Sequence, residues 1–558
     1  MYKWWKEGVV YQIYPRSFLD SNSDGIGDIR GILAKLDYIQ HLGADIVWLN
    51  PVYKSPNYDN GYDISDYYSI MAEFGTMADM EELIYEMHSR EMKLIMDLVV
   101  NHTSDEHPWF IKSRASKTND YRDFYYWRPA KNDREPNNWF SWFGGSVWDY
   151  DDRTGEYYLH LFGNKQPDLN WENSRVREEI YKMMRWWLDK GIDGFRMDTI
   201  NMLSKTPGLP DALDDGQQGY VFAGRHFLNG PRIHEYLQEM YNKVMSRYDV
   251  MTVGECPKTS TDEALKYIAE ERNELNMIFP LDLMEIDYGN GEKWNPIAFR
   301  PAEFKRIING WQLSMQGRGW NSISLMSHDQ PRAVSRFGND STYREESAKM
   351  LATLELTLQG TPYIYQGEEF GMTNVAFNSI DDYRDIETLN YFNDSLKHHR
   401  DRERIMKAIH RQSRDNARTP MQWDGSENAG FSRVTPWIKV NHNYKEINVE
   451  QALDDERSIF HYYKKLIQLR NENIALIYGE YHPVSVDDEY IFSYLRSFNQ
   501  ERFLVILNLG AVDSGFTLPA DIKYLSEKHL LGNYQVVDPN SIREFRLRPF
   551  EARLIQLS

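Results

Sequence analysis

The sequence predicts an α/β fold, a (β/α)8 TIM barrel with a small inserted domain after its third strand and a C-terminal antiparallel β-sandwich domain. Three observations predict it. Eight apolar runs recur along the first two thirds of the chain, each leading into polar or acidic residues. Helix-like stretches with apolar residues at three- and four-residue spacing separate them. Near the carboxyl end the apolar period changes to two. At 558 residues the chain is long enough for more than one domain.

The eight runs are Val9–Pro15, Ala44–Pro51, Lys93–Val100, Gly194–Asp198, Val250–Glu255, Leu275–Asp282, Ser322–Asp329 and Thr361–Glu369. A first barrel helix is expected from about Asp28 to His41, with Ile29, Ile32, Leu33, Leu36 and Ile39 on one face. A second lies near Met77–Met92. After the third run the pattern breaks into an excursion rich in Trp, Tyr, Phe, Asn and Asp, too long for a simple loop. Residues 104–173 are therefore assigned to the inserted domain, and residues 1–103 and 174–478 to the barrel. Ser174–Lys190 resumes the helical pattern, pointing Val176, Ile180, Met183, Met184 and Trp187 inward. Ser260 with Glu263 reads as a capping box. A charged insertion follows the eighth run, and its stretch Tyr391–Arg414 reads as a polar helix, exposed or lining a pocket rim. Ser458–Asn471 closes the barrel. YIFSYLRSF, RFLVILNLG and EARLIQLS then read as strands of a β domain spanning 479–558.

Composition narrows the function. A net charge of -20 repels phosphate backbones and anionic lipid, so neither nucleic acid nor a membrane surface is an expected partner. The acidic surface suits a neutral small-molecule substrate. A single cysteine, Cys256, excludes an intrachain disulfide. The first residues, MYKWWKEGVVYQIYP, lack a signal-peptide pattern, and a cytoplasmic location is expected.

In a barrel the chemistry gathers at the carboxyl ends of the strands. Here those ends carry Asn101 and His102, Arg196 and Asp198, Glu255, then His328 and Asp329. Arg196 and Asp198 are two apart and share a strand face. The arginine should hold the carboxylate ionised with a lowered pKa, as a nucleophile requires, although a structural ion pair would look the same. Glu255 ends an apolar run, and burial should raise its pKa, as a general acid requires. A helix-capping acid is its bland alternative. His328 and Asp329 are adjacent, so only a turn there would let both reach a ligand. Asp97 within MDLVVNH needs a buried partner, and Arg196 is the first candidate. Two carboxylates on neighbouring strand ends can sit about 5 Å apart, the spacing of retaining glycoside hydrolysis. No serine elbow, H-E-x-x-H, CxxC or Gly-rich phosphate loop competes.

Three further features complete the reading. DSNSDGIGD places oxygen donors at alternate positions, so Asp20, Asn22, Asp24, Asp28 and the Ile26 carbonyl could hold one structural calcium ion. The position where an EF-hand has glutamate is Gly31. An Asp/Asn-rich turn is the alternative. Among the aromatics, Tyr62 in DNGYD beside Asp59 is the best sugar-stacking candidate, ahead of Trp109 and Phe162. Cys256, with no base beside it, reads as a pocket-wall residue and not a nucleophile.

These residues also carry a resemblance. GVVYQIYPRSF, DLVVNH, GFRMD, VGE, SHDQPR and RDNARTPMQW, in this order, closely resemble the α-amylase superfamily (glycoside hydrolase family 13). Within it the chain is similar to the oligo-1,6-glucosidase and α-glucosidase group, whose signature QPDLN (Gln166–Asn170) resembles. The resemblance implies Asp198 as nucleophile, Glu255 as general acid/base and Asp329 as transition-state stabiliser. It implies that Asp59, Tyr62, His102, Arg196, His328 and Arg414 hold the non-reducing glucose, with Gln166 nearby, and that the Asp20 loop is a calcium loop. Thr199 follows the nucleophile. Members specialised for α-1,6 bonds usually have valine there, and threonine adds a hydroxyl near the leaving group. The expected activity is an exo-acting retaining α-glucosidase favouring maltose- or sucrose-type bonds over isomaltose. Alternatives are an oligo-1,6-glucosidase, a sucrose isomerase or a trehalose-6-phosphate hydrolase. HRQSRDN resembles a hydrolase more than the RLDRD-like segment of the isomerases, and a phosphate site would need a cationic patch.

Overall fold

The computed structural model describes residues 2–212, 219–535 and 542–558. Eight parallel strands form its centre: β1 (Val10–Ile13), β2 (Ile46–Leu49), β3 (Lys93–Leu98), β4 (Gly194–Met197), β5 (Met251–Gly254), β6 (Met277–Ile278), β7 (Ser322–Ile323) and β8 (Thr361–Tyr365). Their order is β6-β5-β4-β3-β2-β1-β8-β7. Consecutive neighbours and the β1–β8 pairing wrap the sheet around the axis expected of a (β/α)8 barrel, with β6 and β7 as its two ends. The strands are buried on both faces, which explains why they read as continuous apolar runs.

β6 and β7 are much shorter than their apolar runs. Among the described residues no backbone ladder joins them. The Ser322 hydroxyl, donating to the Ile278 carbonyl at 2.8 Å, bridges the seam. A small cavity of about 30 Å³ lies behind it, lined by Ile307, Trp311, Ile323 and Leu325 among others.

The first barrel helix is two pieces, α1 (Ile29–Leu33) and α2 (Leu36–Leu42), because Lys35 leaves helical dihedrals with φ -117° and ψ 10°. Helix α3 (Met77–Ser89) opens on a full capping box between Thr76 and Asp79. Helix α4 (Ser174–Asp189) buries Val176, Ile180, Met183, Met184 and Trp187, the face read from its periodicity. Ser260 caps α5 (Thr261–Ile268) by accepting from the Glu263 amide.

Two excursions stand over the carboxyl ends of the strands. The first contains a three-stranded antiparallel sheet of Trp127–Arg128, Trp148–Asp151 and Glu156–Leu159, with the last in the middle. Its core is not its own. Trp139, Trp148, Leu159 and Leu161 pack with Met202, Leu209 and Phe227 from the segment after β4. Trp139 Nε1 donates to the Pro210 carbonyl at 2.8 Å. In the second excursion the expected single helix is two, α6 (Ile386–Lys397) and α7 (Arg402–Gln412). They are not polar throughout, since Phe392, Ile405 and Ile409 form a small core with Val375 and Tyr383.

The chain ends in an antiparallel five-stranded sheet facing a two-stranded one. Ile491, Leu504, Ile506 and Ile555 of the larger sheet enclose a core with Phe516 and Leu547 of the smaller. The other face of the larger sheet joins the main core through Phe503, Val505 and Leu554. At that junction Arg496 is fully buried and donates to the carbonyls of Leu476, Ile477 and Gly479. No helix among the described residues is long and apolar enough to cross a membrane.

Candidate active site

Strand β4 places Arg196 and Asp198 on one face, and the structure makes Arg196 the hub of the site. Its Nη1 lies 2.7 Å from Asp97 Oδ1 and 2.7 Å from Asp198 Oδ1, and its Nη2 lies 2.9 Å from Glu255 Oε2. Asp97 thus has the partner its apolar strand demands, with Trp48 Nε1 donating to its other oxygen at 2.8 Å. The two terminal nitrogens of one guanidinium hold Asp198 and Glu255 side by side.

Beyond β7 the chain turns at His328 and Asp329, which is how adjacent residues both reach the site. His328 Nε2 is 3.0 Å from Asp329 Oδ2. Arg414 and Arg418 bind Asp329 Oδ1 at 3.2 and 2.8 Å.

One buried guanidinium serving three carboxylates leaves too little positive charge to ionise all of them. Burial is the largest influence on each. It lifts Glu255 to about 7, with Asp198 and Asp329 adding to the rise and Arg196 opposing it. It lifts Asp198 to about 6 against the pull of Arg196, with Asp97 adding to the rise. The lowered Asp198 pKa expected from the sequence is therefore corrected: desolvation outweighs the arginine. Burial would raise Asp329 too, but His328, Arg414 and Arg418 hold it well below the usual carboxylate range. The three acids are graded, with Asp329 lowest and Glu255 highest.

Asp198, Glu255 and Asp329 open into one cavity of about 580 Å³. Asp59, Tyr62, His102, Thr199 and Arg414 line it as well. Gln166, Arg196 and His328 do not; they are buried behind it and orient the groups that do. Gln166 Nε2 donates to Asp59 Oδ2 at 3.1 Å. His328 Nε2 is 2.8 Å from the Tyr62 hydroxyl, and the two rings stack at 5.3 Å. His102 Nε2 lies 3.0 Å from the Tyr62 carbonyl. The floor is closed by Arg414, whose Nη2 reaches Asp59 at 3.3 Å and Asp385 at 2.6 Å.

Thr199 stands between the two central acids. Its amide donates to Glu255 Oε2 at 3.1 Å and its hydroxyl to Asp198 Oδ2 at 3.3 Å. Its backbone is left-handed, φ 39° and ψ 39°, a conformation that costs a β-branched residue energy and marks a constrained site.

Phe162 lines the cavity, while Trp109 packs into the core against Tyr67, His107 and Phe124. Cys256 is not on the cavity wall as expected. It is buried in the core behind Glu255, where desolvation raises its thiol pKa well above the ordinary value. Asp385 and Arg418 were not read as site residues. Arg418 lay within RDNARTPMQW, but no local signal marks Asp385, whose partner Arg414 lies 29 residues on, beyond two helices. The cavity-lining Phe140, Trp142, Phe143, Phe222, Lys258 and Lys293 were missed for the same reason.

A model of the family described as "Alpha amylase, catalytic domain" matches residues 12–479. The chain belongs to the α-amylase family. It is a glycoside hydrolase of that family's oligo-1,6-glucosidase and α-glucosidase type. An oligo-1,6-glucosidase from Parageobacillus thermoglucosidasius is 59% identical over 555 residues, covering 99% of each chain. Trehalose-6-phosphate hydrolase from Bacillus licheniformis superposes with a TM-score of 0.96 at 49% identity, covering 100% of both chains. An isomaltulose synthase variant from Erwinia rhapontici NX5, in complex with its natural substrate sucrose, does so at 0.95 and 44%, again over 100% of both. This α-amylase family member thus shares its fold with enzymes of differing named reactions, and the cavity must decide among them.

Proposed function

We propose that the protein is an exo-acting, retaining α-glucosidase that releases glucose from the non-reducing end of short α-glucosides. The observation that carries it is the pairing of Asp198 and Glu255 on one guanidinium above a closed floor. Asp59, Tyr62, His102 and Arg414 line the floor and would hold one terminal sugar, with Arg414 tied across it to Asp59 and Asp385. Asp198 attacks the anomeric carbon while Glu255 gives its proton to the departing glycosidic oxygen. Water, deprotonated by Glu255, then displaces Asp198 and leaves α-glucose. Asp329, held ionised by its arginines, faces the positive charge that develops between the two steps. Asp198→Asn and Glu255→Gln should fold, shown by an unchanged Tm, and lose on the order of several kcal/mol of transition-state stabilisation. Proton NMR of the first product should show the α anomer; initial release of the β anomer overturns the assignment of Asp198.

For linkage, Thr199 supports maltose- or sucrose-type bonds over isomaltose, because it puts a hydroxyl, 3.3 Å from Asp198 Oδ2, where members specialised for α-1,6 bonds usually have valine. The name of the 59% identical relative favours the oligo-1,6-glucosidase reading instead. Ranking kcat/KM for maltose, sucrose and isomaltose decides between them, and product analysis on sucrose separates hydrolysis from isomerisation. A phosphorylated substrate fits less well. The two lysines of the cavity are each paired with a glutamate, Lys258 with Glu285 and Lys293 with Glu387, and the lining carries more acids than bases.

The Asp20–Asp28 loop is proposed as a calcium site on the chemistry of its donors, which are all oxygen. Asp20 Oδ1 accepts from the amides of Asn22 and Ser23, and Asp24 Oδ1 from Ile26, so the loop is already turned in on itself. Among the described residues no three acidic or histidine side chains are gathered to hold an ion alone, so Asn22 and the Ile26 carbonyl would have to complete the set. Calcium should raise Tm and EDTA lower it, and Asp24→Ala should abolish the difference. A cytoplasmic setting belongs to the same reading, supported by the chain's single cysteine.

A further inference from the structure

The cavity is larger than one sugar needs, and its outer walls differ in character. One wall is an aromatic ladder climbing from the floor. The Phe162 ring lies 5.2 Å from His102, Trp142 stacks on Phe162 at 6.4 Å, and Phe222 meets Trp142 edge-on at 5.2 Å. At the top Phe140 is 39% and Phe222 46% exposed, whereas the floor residues are buried. Large rings left open to water at a cavity mouth mark a binding surface.

The ladder is also braced. Phe140 belongs to the first excursion and Phe222 to the segment after β4, yet the Phe140 amide donates to the Val221 carbonyl at 2.9 Å and the Val221 amide to the Asn138 carbonyl at 2.8 Å. The rest of the outer lining is polar, with the Lys258–Glu285 and Lys293–Glu387 pairs, Tyr288 and Gln330. A pyranose ring has one apolar C–H face and a rim of hydroxyls. A cavity lined by both open rings and charged donors and acceptors matches that chemistry.

We infer that Phe140 and Phe222 form a platform for a second glucosyl unit beyond the cleaved bond, so that the enzyme prefers trisaccharides to disaccharides. The inference rests on the glycosidase reading above, which orients the floor toward the non-reducing end. Phe140 and Phe222 would act in binding alone, since they lie at the mouth and away from the three acids.

The test is the ratio of kcat/KM for a trisaccharide to that for the disaccharide of the same linkage. Maltotriose with maltose and isomaltotriose with isomaltose are the two pairs. The wild type should favour the trisaccharide of its preferred linkage. Phe222→Ala should reduce that ratio about tenfold, the effect of exposing one apolar sugar face, and should do so through KM. Phe140→Ala should act in the same direction, and Phe222→Trp should restore the ratio. If the ratio in the wild type is near one, or is unchanged in Phe222→Ala of normal Tm, the platform is overturned. If neither sugar of either pair, nor sucrose, yields glucose, the α-glucosidase reading falls and takes the platform with it.

Discussion

Arg196 is the residue on which the site turns, because it alone faces Asp97, Asp198 and Glu255. The graded acids give a pH profile with a definite sign. Activity needs Asp198 ionised and Glu255 protonated. It should fall on the acid side as Asp198 is protonated near about 6 and on the alkaline side as Glu255 ionises near about 7. A narrow bell in kcat/KM against pH is expected, and Glu255→Gln should abolish its alkaline limb. Arg196→Lys keeps one charge but cannot span both carboxylates, so it should lower kcat on the order of a hundredfold or more. Thr199→Val tests linkage at the same scale: it removes the hydroxyl near the leaving group and should shift kcat/KM toward isomaltose.

Strand β4 carries Arg196 and delivers Asp198 just past its end, so its seating governs the site. Gly194 at its start leaves no room for a side chain, since a Cβ would lie 2.0 Å from the Met251 carbonyl oxygen on β5. Gly194→Ala should force the strands apart, costing about 3 kcal/mol or more and most of the activity, as Tm and kcat together would report. At this scale the eight strands were legible because strands buried on both faces are continuous apolar runs. α4 was legible because its buried face repeats at helical spacing. The break at Lys35 was not, since both Ala34 and Lys35 favour helix. The shrinkage of β6 and β7 was hidden too, because apolar residues line a core whether or not their backbones pair. At the site, Asp198 and Glu255 were readable as strand-end acids. The order of their pKa values was not, because burial enters only with the fold. Phe222, after β4, meets Trp142 of the first excursion, and Asp385 meets Arg414 across a fold of the second, and pattern alone does not bring such residues together.

The whole molecule carries a second acid cluster that the reaction does not use. Glu355, on the helix Arg344–Thr357, is fully buried, with Glu368 and the Tyr463 hydroxyl acting on it. Burial raises Glu355 well above its ordinary value and lifts Glu368 to about 8, with Glu369 adding to the latter. A carboxyl raised in the folded state keeps a proton that the unfolded chain releases. Its contribution to stability is complete below the ordinary glutamate range and is lost as pH rises through about 8. Tm should decline across that window, and Glu355→Gln should flatten the decline. The barrel itself has an unlaced edge. Where β6 meets β7 the Ser322 hydroxyl alone, among the described residues, spans the gap that backbone ladders close elsewhere, and a void lies behind it. The cylinder should therefore breathe along that line. Deuterium should enter the amides of Met277, Ile278, Ser322 and Ile323 well before those of Val47 or Phe195. Ser322→Ala should hasten the opening there and leave the far side of the ring as slow as before.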